Sequence, residues 1–192
     1  EGNIKKVKTE KEIYDAKSVI LATGAKNRSL GLPNEKKLVG SGISYCATCD
    51  GMFYKDRVVA VNGGGNKAIE DATFLANVAK KVYLIHRRDE FRAEEAVVAA
   101  LKKKDNVEFF LNSNIVEIKE ESFAVTGVVV EDKNTGEKRE IAVDGLFVAI
   151  GQVPDNAAFA DVVELDKAGY IVSGEDCKTK TEGVFAAGDG RT

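Results

Sequence analysis

The chain has 192 residues, which is enough for one ordinary domain or for one domain with pieces of another. Its 44% hydrophobic and 31% charged residues are typical of a globular protein and exclude a disordered chain. A net charge of −3 argues against nucleic acid as a partner, and the lack of a long apolar run argues against a membrane.

The apolar spacing predicts strands that alternate with helices over residues 18–111. Helical spacing is clearest for Ala68, Ile69, Ala72 and Leu75, which fall on one face. In chain order we predict strand 18–22, a loop-rich stretch 25–45, strand 57–61, helix 66–79, strand 81–85, helix 92–104 and strand 107–111. This order is typical of an α/β protein with a parallel sheet and right-handed crossovers.

After residue 111 the pattern changes to strands without helices. We predict an antiparallel meander and a closing strand, followed by isolated strands: 115–119, 123–132, 137–143, 146–150, 170–172 and 184–187. The fold class is therefore α/β, a Rossmann-like parallel sheet with an antiparallel β-meander.

A glycine-rich segment predicts a dinucleotide site directly after strand 57–61. The pattern Gly63-x-Gly65-x-x-Ala68 lets the chain turn tightly, lets the backbone approach a pyrophosphate, and lets the helix pack closely on the sheet. The pyrophosphate would lie at the helix N-terminus. A glycine turn without a ligand is the alternative, but the strand–turn–helix context favours the site. The candidate residues are Gly63, Gly64, Gly65, Asn66, Lys67 and Ala68.

The end of strand 81–85 indicates which nucleotide binds. An NAD site carries an acidic residue there, whereas this chain carries the arginine cluster Arg87, Arg88 and Arg92. Guanidinium groups cannot accept the ribose hydroxyl proton but can grip a 2′-phosphate, so the cluster predicts NADPH. The neighbouring His86 is predicted to lie against the adenosine ribose. A solvated basic turn is the alternative, paired with nearby carboxylates: Asp89, Glu90 and Glu94.

The pair Cys46 and Cys49, followed by Asp50, predicts a redox-active dithiol. Asp50 is positioned to exchange a proton during the thiol chemistry. The alternatives are a zinc site, for which only Cys177 and His86 remain as ligands, and a pair of inert buried thiols. We predict no metal and take Cys177 as a bystander. Few cysteines and no signal peptide indicate the cytoplasm.

Together these motifs resemble the low-molecular-weight, bacterial-type thioredoxin reductases. The resemblance covers nearly the whole chain and lies in these segments: Ala-Thr-Gly at 22–24, Cys-Ala-Thr-Cys-Asp-Gly at 46–51, Gly-Gly-Gly-Asn at 63–66, His-Arg-Arg-Asp-x-Phe-Arg at 86–92, Phe-Val-Ala-Ile-Gly at 147–151 and Gly-Val-Phe-Ala-Ala-Gly-Asp at 183–189.

The resemblance implies a flavoprotein in which hydride passes from NADPH to FAD, then to the dithiol, and then to thioredoxin. Cys49 would face the flavin, Cys46 would exchange with thioredoxin, and Asp50 would be the general acid and base. The cofactor-contacting residues that it adds are Thr23, Gly24, Gly151, Gly188 and Asp189. It also implies a homodimer of the full-length protein.

The resemblance further implies a division of the chain. Residues 29–150 would be an NADPH-binding domain, and residues 1–28 and 151–192 would be incomplete parts of the FAD domain. We therefore expect a fragment that does not hold FAD tightly and does not turn over alone. Two other functions stay open: a peroxiredoxin-reducing flavoprotein of the same fold, and a non-catalytic NADPH and thiol redox sensor.

Overall fold

The computed structural model describes residues 4–192, and these form two compact units. One unit is Arg28–Gly151, and the other combines residues 4–27 with Gln152–Thr192. Residues 1–3, the start of the predicted FAD-domain segment 1–28, lie outside the described residues. Which unit belongs to which cofactor stays a prediction.

Short strands outnumber helices along the described chain. The strands are β1 Lys5–Lys8, β2 Ile13–Ala16, β3 Val19–Leu21, β4 Ala25–Asn27, β5 Ile43–Ser44, β6 Val58–Asn62, β7 Lys81–Ile85, β8 Val107–Phe110, β9 Ser113–Glu121, β10 Ala124–Asp132, β11 Lys138–Ala142, β12 Gly145–Val148, β13 Gln152–Pro154 and β14 Val184–Ala186. The α-helices are α1 Glu35–Leu38, α2 Ala47–Asp50, α3 Asn66–Leu75 and α4 Glu95–Leu101, and 3-10 turns lie at Gly51–Tyr54, Ala157–Phe159 and Gly188–Gly190.

The Arg28–Gly151 unit is built on a five-stranded sheet of order β5-β12-β6-β7-β8. All its neighbouring strands pair in parallel, with α3 and α4 as the crossovers from β6 to β7 and from β7 to β8. Because successive side chains of a strand point to opposite faces, Val59 and Val61 pack against the helices. Ala60 faces the other way, toward the antiparallel sheet.

That antiparallel sheet has the order β11-β10-β9 and covers the second face of the parallel sheet. Its buried side chains Ile115, Val128 and Ile141 pack with Ile85 and Val148 of the parallel sheet. The unit therefore has three layers, helices, parallel sheet and meander, and the predicted Rossmann-like α/β class is confirmed.

The second unit is smaller and contains three strand pairs. β1 and β2 form a hairpin, β3 and β14 pair in parallel, and β4 and β13 pair antiparallel. Its core joins Leu21, Val163, Ile171, Val184 and Ala186. No helix within residues 4–192 is long and apolar enough to cross a membrane.

Several predicted boundaries are wrong, each for a local reason. The helix predicted at 92–104 is only Glu95–Leu101, because the main-chain N–H of Arg92 donates to Gly64 O and the residues after Leu101 form tighter turns. The strand predicted at 170–172 is absent, since Ile171 makes only isolated bridges.

The stretch predicted as loop, 25–45, also contains regular structure. It holds the strands β4 and β5 and the one-turn helix α1. These elements are too short to produce a periodic apolar pattern, so the sequence alone shows only the turn residues between them.

Candidate functional site: a nucleotide cleft and a redox disulfide

The turn after β6 requires glycine at its first position. Gly63 has φ +155°, and a Cβ added there would lie 2.3 Å from Ala149 O and 2.7 Å from the Ala68 Cβ. The helix can pack this closely on the sheet only because residue 63 has no side chain and residue 68 has a methyl group. Gly63 and Ala68, the first and third positions of the predicted motif, therefore lie in close contact, as the motif requires.

The N-terminus of α3 is open for an anion. Gly65 is the N-cap and supplies no side-chain hydrogen bond, so the first amide groups of the helix have no partner within it. A Cβ added at Gly65 would meet nothing within 4 Å, which leaves the space above the backbone free. Lys67, also predicted to contact the cofactor, pairs with the buried Asp71 at 2.9 Å. Burial raises the pKa of Asp71, and the Lys67 charge opposes that shift.

The arginine cluster lies beside this helix N-terminus. The main-chain N–H of Arg92 donates to Gly64 O at 2.7 Å, and Gly65 and Arg92 form a parallel bridge. Arg87, Arg88 and Arg92 are exposed, and none of them makes a salt bridge with a carboxylate of residues 4–192. The carboxylates of Asp89, Glu90 and Glu94 therefore do not pair with the cluster in this structure.

His86 is a wall of the site rather than a candidate base. Its ring stacks on Phe91 with centroids 5.3 Å apart, and its Nε2 lies 3.0 Å from Glu90 O. A Cβ added at Gly64 would lie 2.1 Å from the ring, so the ring covers this glycine. Burial lowers the pKa of His86, the hydrogen bond to Glu90 O opposes this shift, and the charges of the three arginines add to it.

These features line one cleft of about 820 Å³ within the Arg28–Gly151 unit. All but Ala68 of the glycine-loop residues reach it, together with His86 and the arginine cluster. Gly151, with φ +94°, also lines it. Ala149 and Ile150 of the Phe-Val-Ala-Ile-Gly segment line it too, although sequence reasoning did not assign them to the site. Sequence reasoning also missed these lining residues, which no motif marks: Arg28, Ser29, Leu30, Leu32, Asn62, Asn114, Ile115 and Val116.

Cys46 and Cys49 form a disulfide. The pair lies at the start of helix α2, with Cys46 as the N-cap. The Cys46 Sγ accepts a hydrogen bond from Cys49 N at 3.2 Å. Cys46 is half-buried and Cys49 is exposed. An accessible disulfide whose sulfur receives a helix N–H suits reversible exchange.

Ser44, which sequence reasoning missed, connects the disulfide to Asp50. Its hydroxyl donates to Asp50 Oδ2 at 2.6 Å and accepts from Cys46 N at 3.0 Å. Ser44 is 4% exposed, so both hydrogen bonds are shielded from water. This hydroxyl holds the carboxylate and the backbone of Cys46 in one fixed arrangement.

The buried carboxylate of Glu35 also supports the dithiol segment. Glu35 accepts hydrogen bonds from Leu30 N, Gly31 N and the Tyr45 hydroxyl at 2.8, 2.9 and 3.0 Å. Burial, followed by the bond to Glu35, raises the pKa of Tyr45 to about 12. Leu30 lines the cleft and Tyr45 precedes Cys46, so Glu35 connects the wall of the cleft with the start of the dithiol segment.

The residues assigned to FAD lie in the second unit, except Gly151. Gly24 and Gly188 have φ +66° and +75°, and they follow the paired strands β3 and β14. The Thr23 hydroxyl donates to Asn156 Oδ1 at 2.6 Å. Asn156, another residue that sequence reasoning missed, donates to Gly190 O at 2.7 Å, which brings the two strand ends together.

The junction between Thr23 and Asn156 also requires glycine at position 190. A Cβ added there would lie 2.9 Å from the Thr23 hydroxyl oxygen, so a side chain would disturb this junction. Asp189 is exposed beside it. Within residues 4–192 no group of His, Cys, Asp and Glu is arranged to hold a metal ion, and Cys177 is a free, half-buried thiol.

The sequence matches the pyridine nucleotide-disulphide oxidoreductase family over residues 1–192. The chain therefore belongs to this family.

Within that class the similarity is to thioredoxin reductases. The chain is 46% identical over 195 residues to a thioredoxin reductase of Peptoclostridium acidaminophilum, which covers 98% of this chain and 62% of that protein. It is 46% identical over 190 residues to one of Mycolicibacterium smegmatis, with 98% and 61% covered. Lactococcus lactis thioredoxin reductase in its FR conformation superposes with a TM-score of 0.87 at 36% identity, over 100% of this chain and 63% of that one.

The predicted resemblance is thus confirmed. The chain spans about three fifths of the length of these relatives.

Proposed function

We propose that this chain is the NADPH-binding and redox-dithiol portion of a flavin-dependent thioredoxin reductase. One observation carries the proposal: the unpaired arginine cluster is fixed to the glycine loop through the Arg92–Gly64 hydrogen bond, in the same unit as the Cys46–Cys49 disulfide. Cationic side chains beside an open helix N-terminus are what a nucleotide with a 2′-phosphate requires.

The cleft residues would hold NADPH by complementary charge and shape. The N-terminus of α3 would receive the pyrophosphate over Gly65, where no side chain intervenes. Arg87, Arg88 and Arg92 would grip the 2′-phosphate, and the ring of His86 would lie against the ribose.

The dithiol residues would carry out the exchange. When bound, NADPH supplies a hydride and FAD is its carrier to the disulfide. Two electrons and one proton open the Cys46–Cys49 bond and leave one thiol and one thiolate. The Cys46 sulfur then attacks one sulfur of the thioredoxin disulfide, forming a mixed disulfide and expelling the other sulfur as a thiolate.

Cys49 would complete the cycle by attacking Cys46. Its thiolate displaces the second thioredoxin sulfur and restores the Cys46–Cys49 bond, so thioredoxin leaves as a dithiol. Asp50, held by Ser44, would donate and accept the protons that these steps move.

The remaining assignments rest on the resemblance and on local geometry. Thr23, Gly24, Gly188 and Asp189 would contact FAD, supported by the backbone turns that only glycine adopts easily at 24 and 188. For the longer protein we propose a homodimer that works in the cytoplasm, where a dithiol pair is kept cycling.

Calorimetric titration of the chain with NADPH and with NADH tests the proposal. We expect NADPH to bind more tightly by about tenfold or more, since a guanidinium–phosphate contact is a charge-assisted bond. Arg87→Ala with Arg88→Ala should remove this preference and leave NADH binding unchanged. Equal affinities for the two nucleotides in the unaltered chain would contradict the proposal and favour an NADH-dependent flavoprotein.

A further inference from the structure

Asn62 is a buried polar residue that lines the cleft, at the end of strand β6. Asn62 is the last residue of β6 and is 9% exposed, yet its amide makes no hydrogen bond with any of residues 4–192. Its backbone is bonded, since Ala149 N donates to Asn62 O at 2.8 Å. The cleft reaches the amide atoms of Asn62, so they are available to the polar edge of a ligand.

The register shows which wall of the cleft this amide occupies. Asn62 is paired with Ile85 on one side and with Val148 on the other. Paired residues of a parallel sheet point to the same face, and Ile85 and Val148 pack against the meander. Asn62 therefore lies on the meander side of the sheet, opposite α3.

On that side, Leu30, Ile115 and Ile150 line the cleft and belong to the hydrophobic cluster shared with the meander; we call these three side chains the slot. Asn62 provides a donor and an acceptor to the same cleft, which Arg28, Ser29 and Asn114 also line. A flat heteroaromatic ring with a polar edge fits such a slot, because its faces pack on the aliphatic side chains while its edge meets the amide.

The slot adjoins the arginine end of the cleft. Ser113 N donates to His86 O at 2.9 Å, and Asn112 N donates to Arg88 O at 3.1 Å. These bonds hold the segment before Ile115 beside the residues that would grip the 2′-phosphate. In the nucleotide, the ring attached to that phosphorylated ribose is adenine.

We infer that the Asn62 amide hydrogen-bonds the edge of the adenine ring and is a specificity-determining residue of the cleft. Adenine presents an amino donor next to a ring-nitrogen acceptor, which an asparagine amide matches with two hydrogen bonds. This inference rests on the proposed function, because it places an adenine nucleotide in the cleft.

The variant Asn62→Ile tests the inference by calorimetry with four ligands: NADPH, NADH, adenosine 2′,5′-bisphosphate and reduced nicotinamide mononucleotide. We expect about tenfold weaker binding of the first three, by the same factor, because they share adenine. Binding of the mononucleotide should not change. As a control, Arg87→Ala should weaken only the two ligands that carry the 2′-phosphate.

A measurement on the unaltered chain keeps the test independent of the variant's folding. The side-chain amide signals of Asn62 in a ¹⁵N-correlated NMR spectrum should shift on addition of adenosine 2′,5′-bisphosphate and stay in place with the mononucleotide. Stationary signals, unchanged affinity in Asn62→Ile, or a loss confined to nicotinamide ligands would overturn the inference. Failure of the unaltered chain to bind any nucleotide would instead refute the proposed function.

Discussion

The glycine loop and the dithiol segment lie in the same unit but are specified in different ways. The loop depends on the backbone: Gly63 has a positive φ and no space for a side chain, and Gly64 is covered by the His86 ring. The dithiol segment depends on side chains: Ser44 binds Asp50 and Cys46, and Glu35 binds Tyr45.

The difference determines how each region fails. A side chain added to the loop changes the path of the chain, because neighbouring backbone atoms cannot move away. Loss of a polar group near the dithiol leaves the path intact but leaves a buried partner without its hydrogen bond. Substitutions at the crowded glycines of the loop should therefore reduce stability most, and those near the dithiol should cost less stability and also change chemistry or a pKa.

The largest effect is expected for Gly63→Ala. Its Cβ would lie 2.3 Å from Ala149 O, and its φ of +155° is unfavourable for alanine, so we expect a loss of about 3 kcal/mol or more in the free energy of unfolding. Gly65→Ala is the matched control, since its Cβ meets nothing within 4 Å. It should lose less than about 1 kcal/mol but bind NADPH more weakly.

Urea unfolding and calorimetry separate these outcomes. A Gly63→Ala protein as stable as the unaltered chain would show that the loop relaxes easily. In that case the contrast between a backbone-defined and a side-chain-defined region would not hold.

An intermediate effect is expected for Glu35→Gln. Glutamine has one acceptor oxygen where glutamate has two, so one of the three donors to residue 35 loses its bond, at a cost of about 1–3 kcal/mol. The pKa of Tyr45 should fall from about 12 toward its ordinary value of 10.0. Near-ultraviolet absorbance of tyrosinate, with Tyr45→Phe subtracted, measures that titration.

The sign of the pH dependence follows from the raised pKa of Tyr45. The folded chain keeps the phenol proton to higher pH than the unfolded chain, so this contribution to stability is complete below pH 10.0 and is lost as pH rises toward about 12. Tyr45→Phe should show a shallower alkaline decline. An identical decline in both proteins would show that the Glu35–Tyr45 bond does not stabilise the native state.

The smallest effect on stability is expected for Ser44→Ala, about 1 kcal/mol. Its main consequence should be chemical, because Asp50 loses the donor at 2.6 Å and Cys46 N loses its acceptor. After reduction, the pH profile of alkylation of the two thiols should shift in Ser44→Ala. Thr48→Ala, which removes only an exposed hydroxyl 3.4 Å from the Cys46 Sγ, is the control. Equal shifts in both variants would assign the effect to the helix start and not to Ser44.

The contrast also explains how far the sequence could be interpreted. Gly63, Gly65 and Ala68 were predictable because each meets a local steric demand that recurs wherever a strand turns into a phosphate-binding helix. The sheet and the meander were predictable for a similar reason, since their apolar periods of alternating residues are local.

Ser44, Glu35 and Asn156 were not predictable. Their partners lie 2–133 residues away, and nothing in the sequence distinguishes a serine that bonds a nearby carboxylate from one that bonds water. The late start of α4, at Glu95 and not at residue 92, was missed for the same reason, because it depends on the hydrogen bond between Arg92 N and Gly64 O.

The Arg92–Gly64 bond also bears on how the proposed preference for NADPH over NADH can change. Arg92 is anchored by its main-chain N–H, while its guanidinium and those of Arg87 and Arg88 have no carboxylate partner within residues 4–192. The three side chains can therefore be exchanged without releasing the loop that presents them. The proposed coenzyme preference is therefore open to redesign or to natural drift at these three side chains, while the backbone of the loop stays unchanged.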